Sequence, residues 1–155
     1  MTYLALIHGA KGLIYWCYYN MRVLPQYPEM WAGMKKIGAE VKTLSPVLLS
    51  PEDLGSVRFT PDTGGKIHTK LKRHEGREYL IAVNVGAAPC EVTFDLGHPL
   101  PPQVNVLFED QSFSPRPAGL NAGLPREKGR TAPTEGTRLR ASFKPLEVHV
   151  YELGR

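Results

Sequence analysis

Lys66-Ile67-His68-Thr69-Lys70-Leu71-Lys72-Arg73-His74, followed closely by Glu78-Tyr79-Leu80-Ile81-Ala82-Val83-Asn84-Val85, decides the fold class. In the first run, Ile67, Thr69 and Leu71 alternate with His68, Lys70 and Lys72. A period of two places these sets on opposite faces of a strand. The second run has an aliphatic centre and reads as a central strand. Working outward, Val57 to Phe59 is a short strand. Glu91 to Leu96 sets Val92, Phe94 and Leu96 against Glu91, Thr93 and Asp95. Gln103 to Glu109 carries Val104, Val106 and Phe108 in phase. Thr137 to Phe143 and Glu147 to Leu153 complete seven short runs. Short alternating strands separated by turn residues predict an antiparallel β-sandwich of about seven strands, so the class is mainly β. The stretch from 115 to 136 holds Pro, Gly and charge without a period and reads as a mobile loop.

The first 50 residues follow another rule. Thr2 to His8 is apolar enough for a short helix that Gly9 ends. Lys11 to Tyr18 is a short apolar run rich in Ile, Tyr and Trp, as in a strand buried on both faces. A helix is predicted from Pro28 to Leu44. Pro28 suits the first helical position and Glu29 suits the first turn. Met30, Met34, Ile37, Val41 and Leu44 form one apolar stripe, with Lys35, Lys36 and Lys42 on other faces. Ser45-Pro46 reads as its stop. The chain thus divides into a helix-strand-helix segment, 1–50, and a β-sandwich, 51–155.

Composition agrees. There are 155 residues, with 14 Pro and 15 Gly. That much punctuation suits many short elements joined by turns. A complete (β/α)8 barrel needs roughly 200 residues or more, so the length excludes one. The net charge is +4, and the densest basic patch is Lys70, Lys72 and Arg73, with Arg77 close by. No aromatic-interleaved motif accompanies it, so it reads as a solvated strand face rather than a nucleic-acid patch. No apolar run is long enough to span a bilayer. The N-terminus lacks the basic start and apolar length of a secretory signal. These features leave the compartment open and lean towards a cytoplasmic or fragment origin. Cys17 and Cys90 form no metal or redox motif and read as two free thiols, with a disulfide as the alternative.

Four longer stretches resemble a known family. Leu4 to Tyr19, LALIHGAKGLIYWCYY, resembles the end of the seventh helix and the eighth strand of a (β/α)8-barrel glycoside hydrolase. Pro28 to Glu52, PEMWAGMKKIGAEVKTLSPVLLSPE, resembles the closing helix. YLIAVNVGAAPCEVTFDL, from Tyr79, and FKPLEVHVYEL, from Phe143, resemble the β-sandwich that commonly trails such barrels. The aliphatic run closing on Asn84 and the phrase Val148-His149-Val150-Tyr151 carry that likeness. The resemblance implies a helix-strand-helix barrel remnant ahead of the sandwich, and hence a C-terminal fragment of a glycoside hydrolase. Retaining members use two carboxylates on the fourth and seventh strands, and no residue here matches either. Two alternatives stand beside this reading. One is a small homo-oligomeric hydrolase, of glycosidase or esterase type, with its site between subunits. The other is a structural β-sandwich module.

The resemblance implies that Trp16, at the end of the eighth strand, forms a floor under a bound sugar, whose C–H face packs on an aromatic ring. Packing in a core or interface is the alternative. Tyr18, Tyr19, Asn20 and Arg22 follow and could line the same carbohydrate site through hydroxyl, amide and guanidinium groups; turn and interface roles are the alternative. Trp31 is expected against the sandwich. His8, His68, His74, His98 and His149 lack metal-ligand spacing. His68 and His74 could meet in space, and His149 should face outward or touch the helix. Gly64-Gly65-Lys66 is a hairpin turn rather than a phosphate loop, and Asp53, Asp62, Glu75 and Glu78 read as surface carboxylates. No metal, cofactor, nucleic-acid or membrane partner is expected. An apolar strand stripped of its barrel neighbours invites pairing, so a homo-oligomer is predicted through residues around 12–19 and the helix 28–44.

Overall fold

The computed structural model describes residues 1–15, 27–61, 65–108 and 131–154. They hold two helices, α1 (Thr2–Ile7) and α2 (Pro28–Leu48). Nine strands follow: β1 (Asp53–Gly55), β2 (Arg58–Pro61), β3 (Ile67–His74), β4 (Arg77–Asn84), β5 (Cys90–Asp95), β6 (Gln103–Leu107), β7 (Thr131–Glu135), β8 (Arg138–Phe143) and β9 (Val148–Gly154). The protein is mainly β, as the period-two runs predict, and every strand pairing is antiparallel.

The strands form one curled sheet in the order β1-β3-β4-β9-β6-β7-β8-β5-β2. β7 makes the corner. Its first three residues pair with Gln103 to Asn105 of β6, and its last two pair with Leu139 and Arg138 of β8. The sheet therefore folds over its own inner face. Leu80, Ala82, Val104, Val106, Tyr151 and Leu153 from one half meet Val92, Phe94, Leu139 and Phe143 from the other in one buried cluster. The Phe94 and Tyr151 rings approach across it with centroids 6.4 Å apart.

The outer face of β4, β9 and β6 carries a second apolar set. Tyr79, Ile81, Val83, Val150 and Leu107 are covered by Tyr3, Leu6 and Ile7 of α1 and by Leu44 and Val47 of α2. A central strand buried on both faces has no polar alternation left, which accounts for the continuous Tyr79 to Val83 run. Asn84 ends that strand fully buried. Its amide donates to the carbonyls of Ala88 and Lys144, and its Oδ1 accepts from the Gly86 amide. Gly86 is required there, because a Cβ would lie 2.9 Å from that oxygen.

Several expectations are corrected. Residues 11–15 form no strand, and Leu13, Ile14 and Tyr15 are exposed, Ile14 by 90%; the rest of the expected 11–18 strand lies outside the described residues. α2 does not stop at Ser45-Pro46 but runs to Leu48 with Pro46 inside it. Val47 is fully buried one residue beyond the proline, and the Ser45 carbonyl still accepts the Leu49 amide at 2.9 Å. Packing on the sheet thus outweighs a single missing amide donor. Of the expected 115–136 loop, Thr131 to Glu135 is the corner strand, and the remainder up to 130 lies outside the described residues. β1 adds a further short strand beside β3. Trp31 does not pack on the sandwich. It is 41% exposed, with the Lys35 ammonium 5.6 Å from its ring centre. Cys90 is a buried free thiol, its pKa pushed up by burial, and Cys17 lies outside the described residues.

Candidate functional site

Trp16, Tyr18, Tyr19, Asn20 and Arg22 all lie outside the described residues. Their flanks are described. Tyr15 and Tyr27 stand where the segment leaves and returns, both more than half exposed. Beside Tyr15 opens an apolar cleft of about 190 Å³ between residues 10–15 and α2, walled by Leu6, Leu13 and Tyr15 against Ile37, Val41 and Leu48. The Tyr15 hydroxyl meets the Thr2 hydroxyl. This lining offers one aromatic ring and few polar groups, a chemistry suited to an apolar or C–H-rich surface.

Between α1 and α2, Tyr3 donates to Glu40 Oε2 at 2.8 Å. Burial raises the Glu40 pKa above the usual carboxylate value, and the bond from Tyr3 and the charge of Lys36 only partly offset it. The Tyr3 phenol is raised too, by burial and then by the Glu40 charge. Sequence reasoning missed this pair. Its signal was a carboxylate one position from Val41 on the edge of the apolar stripe. A carboxyl with a raised pKa is a candidate proton donor, but no contact among the described residues gives Glu40 a second carboxylate to act with.

Three other carboxylates are held by cations. Asp53 accepts from Lys70 at 2.6 Å, and Lys72 stands 4.0 Å away. The Lys70 hydrogen bond is the main cause of the lowered Asp53 pKa. Glu78 meets Arg73 at 2.5 Å and His98 at 2.7 Å; burial works to raise its pKa, but these two partners outweigh it and the net direction is down. Glu152 accepts from Arg77 at 2.7 Å. The expected solvated basic face is therefore corrected. Lys72 is buried with its ammonium on the Ser50 carbonyl at 2.5 Å, and Lys70, Arg73 and Arg77 are each paired. Glu75 is exposed, and Asp62 and the Gly64 turn residue lie outside the described residues.

The histidines also depart from expectation. His68 and His74 sit near opposite ends of β3 and do not meet; His68 instead meets His8, with His8 Nε2 2.9 Å from His68 Nδ1. The two rings border a pocket of about 380 Å³ with Ser56, Phe59 and Lys70. His149 faces neither solvent nor the helices. It turns into the sandwich, stacked on Phe143 at 4.3 Å, with Nδ1 2.7 Å from the Tyr151 hydroxyl. Alternation alone put it opposite Val148 and Val150; the curl of the sheet made that opposite face an interior. Among the described residues, no group of three or more His, Cys, Asp or Glu could hold a metal ion, and no helix is long and apolar enough to cross a membrane.

No protein-family description matches this chain, and no curated protein matches it. Among solved structures, the crystal structure of an AmyP variant in complex with maltotriose is similar over 63% of this chain, at a TM-score of 0.40 and 11% sequence identity. The chain spans 16% of that protein's length. So slight a likeness carries no argument about activity.

Proposed function

We propose that the chain serves as the C-terminal part of a glycoside hydrolase. In this reading α1, residues 11–18 and α2 are closing elements of a (β/α)8 barrel, and the curled sheet is the trailing β-sandwich. The supporting observation is the placing of apolar surface. Of eleven exposed large hydrophobics among the described residues, six are Leu13, Ile14, Tyr15, Met30, Trp31 and Leu49. They fall in the segments whose sequence resembles the barrel's end, and concentrated exposure of this kind marks a surface awaiting a partner. The rest of a barrel would cover it. Trp16, Tyr18, Tyr19, Asn20 and Arg22 then contribute a floor and polar partners to a carbohydrate site, and the catalytic carboxylates come from outside these residues. Among the described residues no two carboxylates are paired for glycoside chemistry, and alone the chain self-associates through residues around 12–19 and α2.

The second reading, an oligomeric hydrolase with a site between copies, draws on the same exposed surface. Purified protein assayed on a panel of nitrophenyl glycosides and esters separates the two. No turnover is expected. Turnover that Trp16→Ala abolishes would overturn the lead reading in favour of the second. Light scattering at micromolar concentration should return an oligomer, and a clean monomer would remove self-association.

A further inference from the structure

We infer that His8 and His68 form a two-imidazole site for a divalent transition-metal ion, which clips α1 to β3. The inference stands independently of the carbohydrate reading. The two rings come from separate elements 60 residues apart, His8 at the C-terminal end of α1 and His68 on β3, and their nitrogens converge to 2.9 Å. Metal–nitrogen bonds to imidazole are about 2.0–2.1 Å. Two such bonds at a right angle place the nitrogens about 2.9 Å apart, whereas a tetrahedral angle needs about 3.3 Å. The spacing therefore suits adjacent positions on a square-planar or octahedral ion such as Cu²⁺ or Ni²⁺ better than tetrahedral Zn²⁺.

Three surrounding features fit. The pair opens on the pocket of about 380 Å³, which leaves room for the water molecules that complete the coordination. The His8–His68 contact is solvent-exposed, so an ion can reach it. Lys70, the one cation lining the pocket among the described residues, is neutralised by Asp53 at 2.6 Å and does not repel a dication. Without metal, one ring donates to the other. On binding, the donor ring carries its proton on its other nitrogen instead, so both converging nitrogens offer lone pairs and no net proton is lost. The rings stand nearly edge to face, at 71°; without metal the N–H and the lone pair lie along the N···N line, so binding turns both rings to bring the two lone pairs onto the ion.

The test titrates NiCl₂ and, separately, CuSO₄ into tag-free full-length protein by calorimetry, with His8→Gln, His68→Gln and His74→Gln in parallel. Circular dichroism verifies that each variant is folded. One ion per chain is expected for the unaltered protein and for His74→Gln, with a thermal midpoint that rises as Ni²⁺ is added. Both should be lost in His8→Gln and in His68→Gln. Electron paramagnetic resonance of the Cu²⁺ adduct should show two equatorial nitrogens. No uptake at millimolar metal, or uptake unchanged in either of the two variants, would overturn the assignment.

Discussion

The inside of the curled sheet and the helical layer on its back are both apolar contacts, but they are finished to different degrees. Inside the sheet, Phe94, Phe143, Leu80 and Leu139 are completely buried and the rings interlock from both halves. On the back, the α2 stripe is graded. Leu44 and Val47 are sealed, Ile37 and Val41 are half-buried, and Met30 is exposed. The same helix is a core element at one end and an unfinished surface at the other. A continuous apolar stripe in sequence shows what a helix can bury. How much of it is buried depends on how far the sheet beneath extends.

The largest effect that sharpens this contrast is Phe94→Ala. It should cost about 3–5 kcal/mol in urea unfolding, because the closed interior cannot collapse around the gap. A loss below about 1 kcal/mol would mean that the sheet interior is not the main core. Next comes Leu44→Ala, at about 2–4 kcal/mol by the same measurement. Its unfolding should remain a single transition if helices and sheet share one cooperative core. Two separated transitions would break the link between the layers.

Two carboxylates set the layers apart by pH. Glu78 is lowered in the folded state, so its contribution is present above the ordinary carboxylate pKa and is lost as pH falls through its folded value. Glu78→Gln should therefore flatten the acid decline in stability below about pH 4. Glu40 has the opposite sign, because its raised pKa means that acidification first favours the folded state. Glu40→Gln keeps an acceptor for Tyr3 and should hold or raise stability at neutral pH. Identical pH profiles for the two variants would remove the distinction. The smallest effect is Trp31→Ala, which should change stability by no more than about 0.5 kcal/mol and weaken self-association in light scattering. A large stability loss would show that Trp31 is packed.

Legibility tracked how far one face of an element is buried. β3, β5 and β8 were readable because interior and exterior residues alternate, β4 because Tyr79 to Val83 is continuously apolar, and β9 because its residue types alternate although both its faces are covered. β1 has no fully buried residue. β7 buries only Ala132 and contains Pro133 where the chain changes partners. Neither leaves a period to find. The candidate site divides the same way. The five residues suggested by resemblance lie outside the described residues. Glu40–Tyr3 and His8–His68 join groups 37 and 60 residues apart, and no local pattern announces such a meeting.

By itself the sequence determined the mainly β class, most strand positions and a long amphipathic helix, because backbone period and side-chain burial are local properties. Only the tertiary structure decided the rest. The curl at β7 turned the far side of β9 into an interior and buried His149. Packing on β4 and β9 carried α2 past Pro46. Charges that read as a solvated basic face were paired by carboxylates from β1, β4 and β9. Each of these outcomes depends on contacts between distant segments, and the strength of such a contact depends on how completely the other layers exclude water from it.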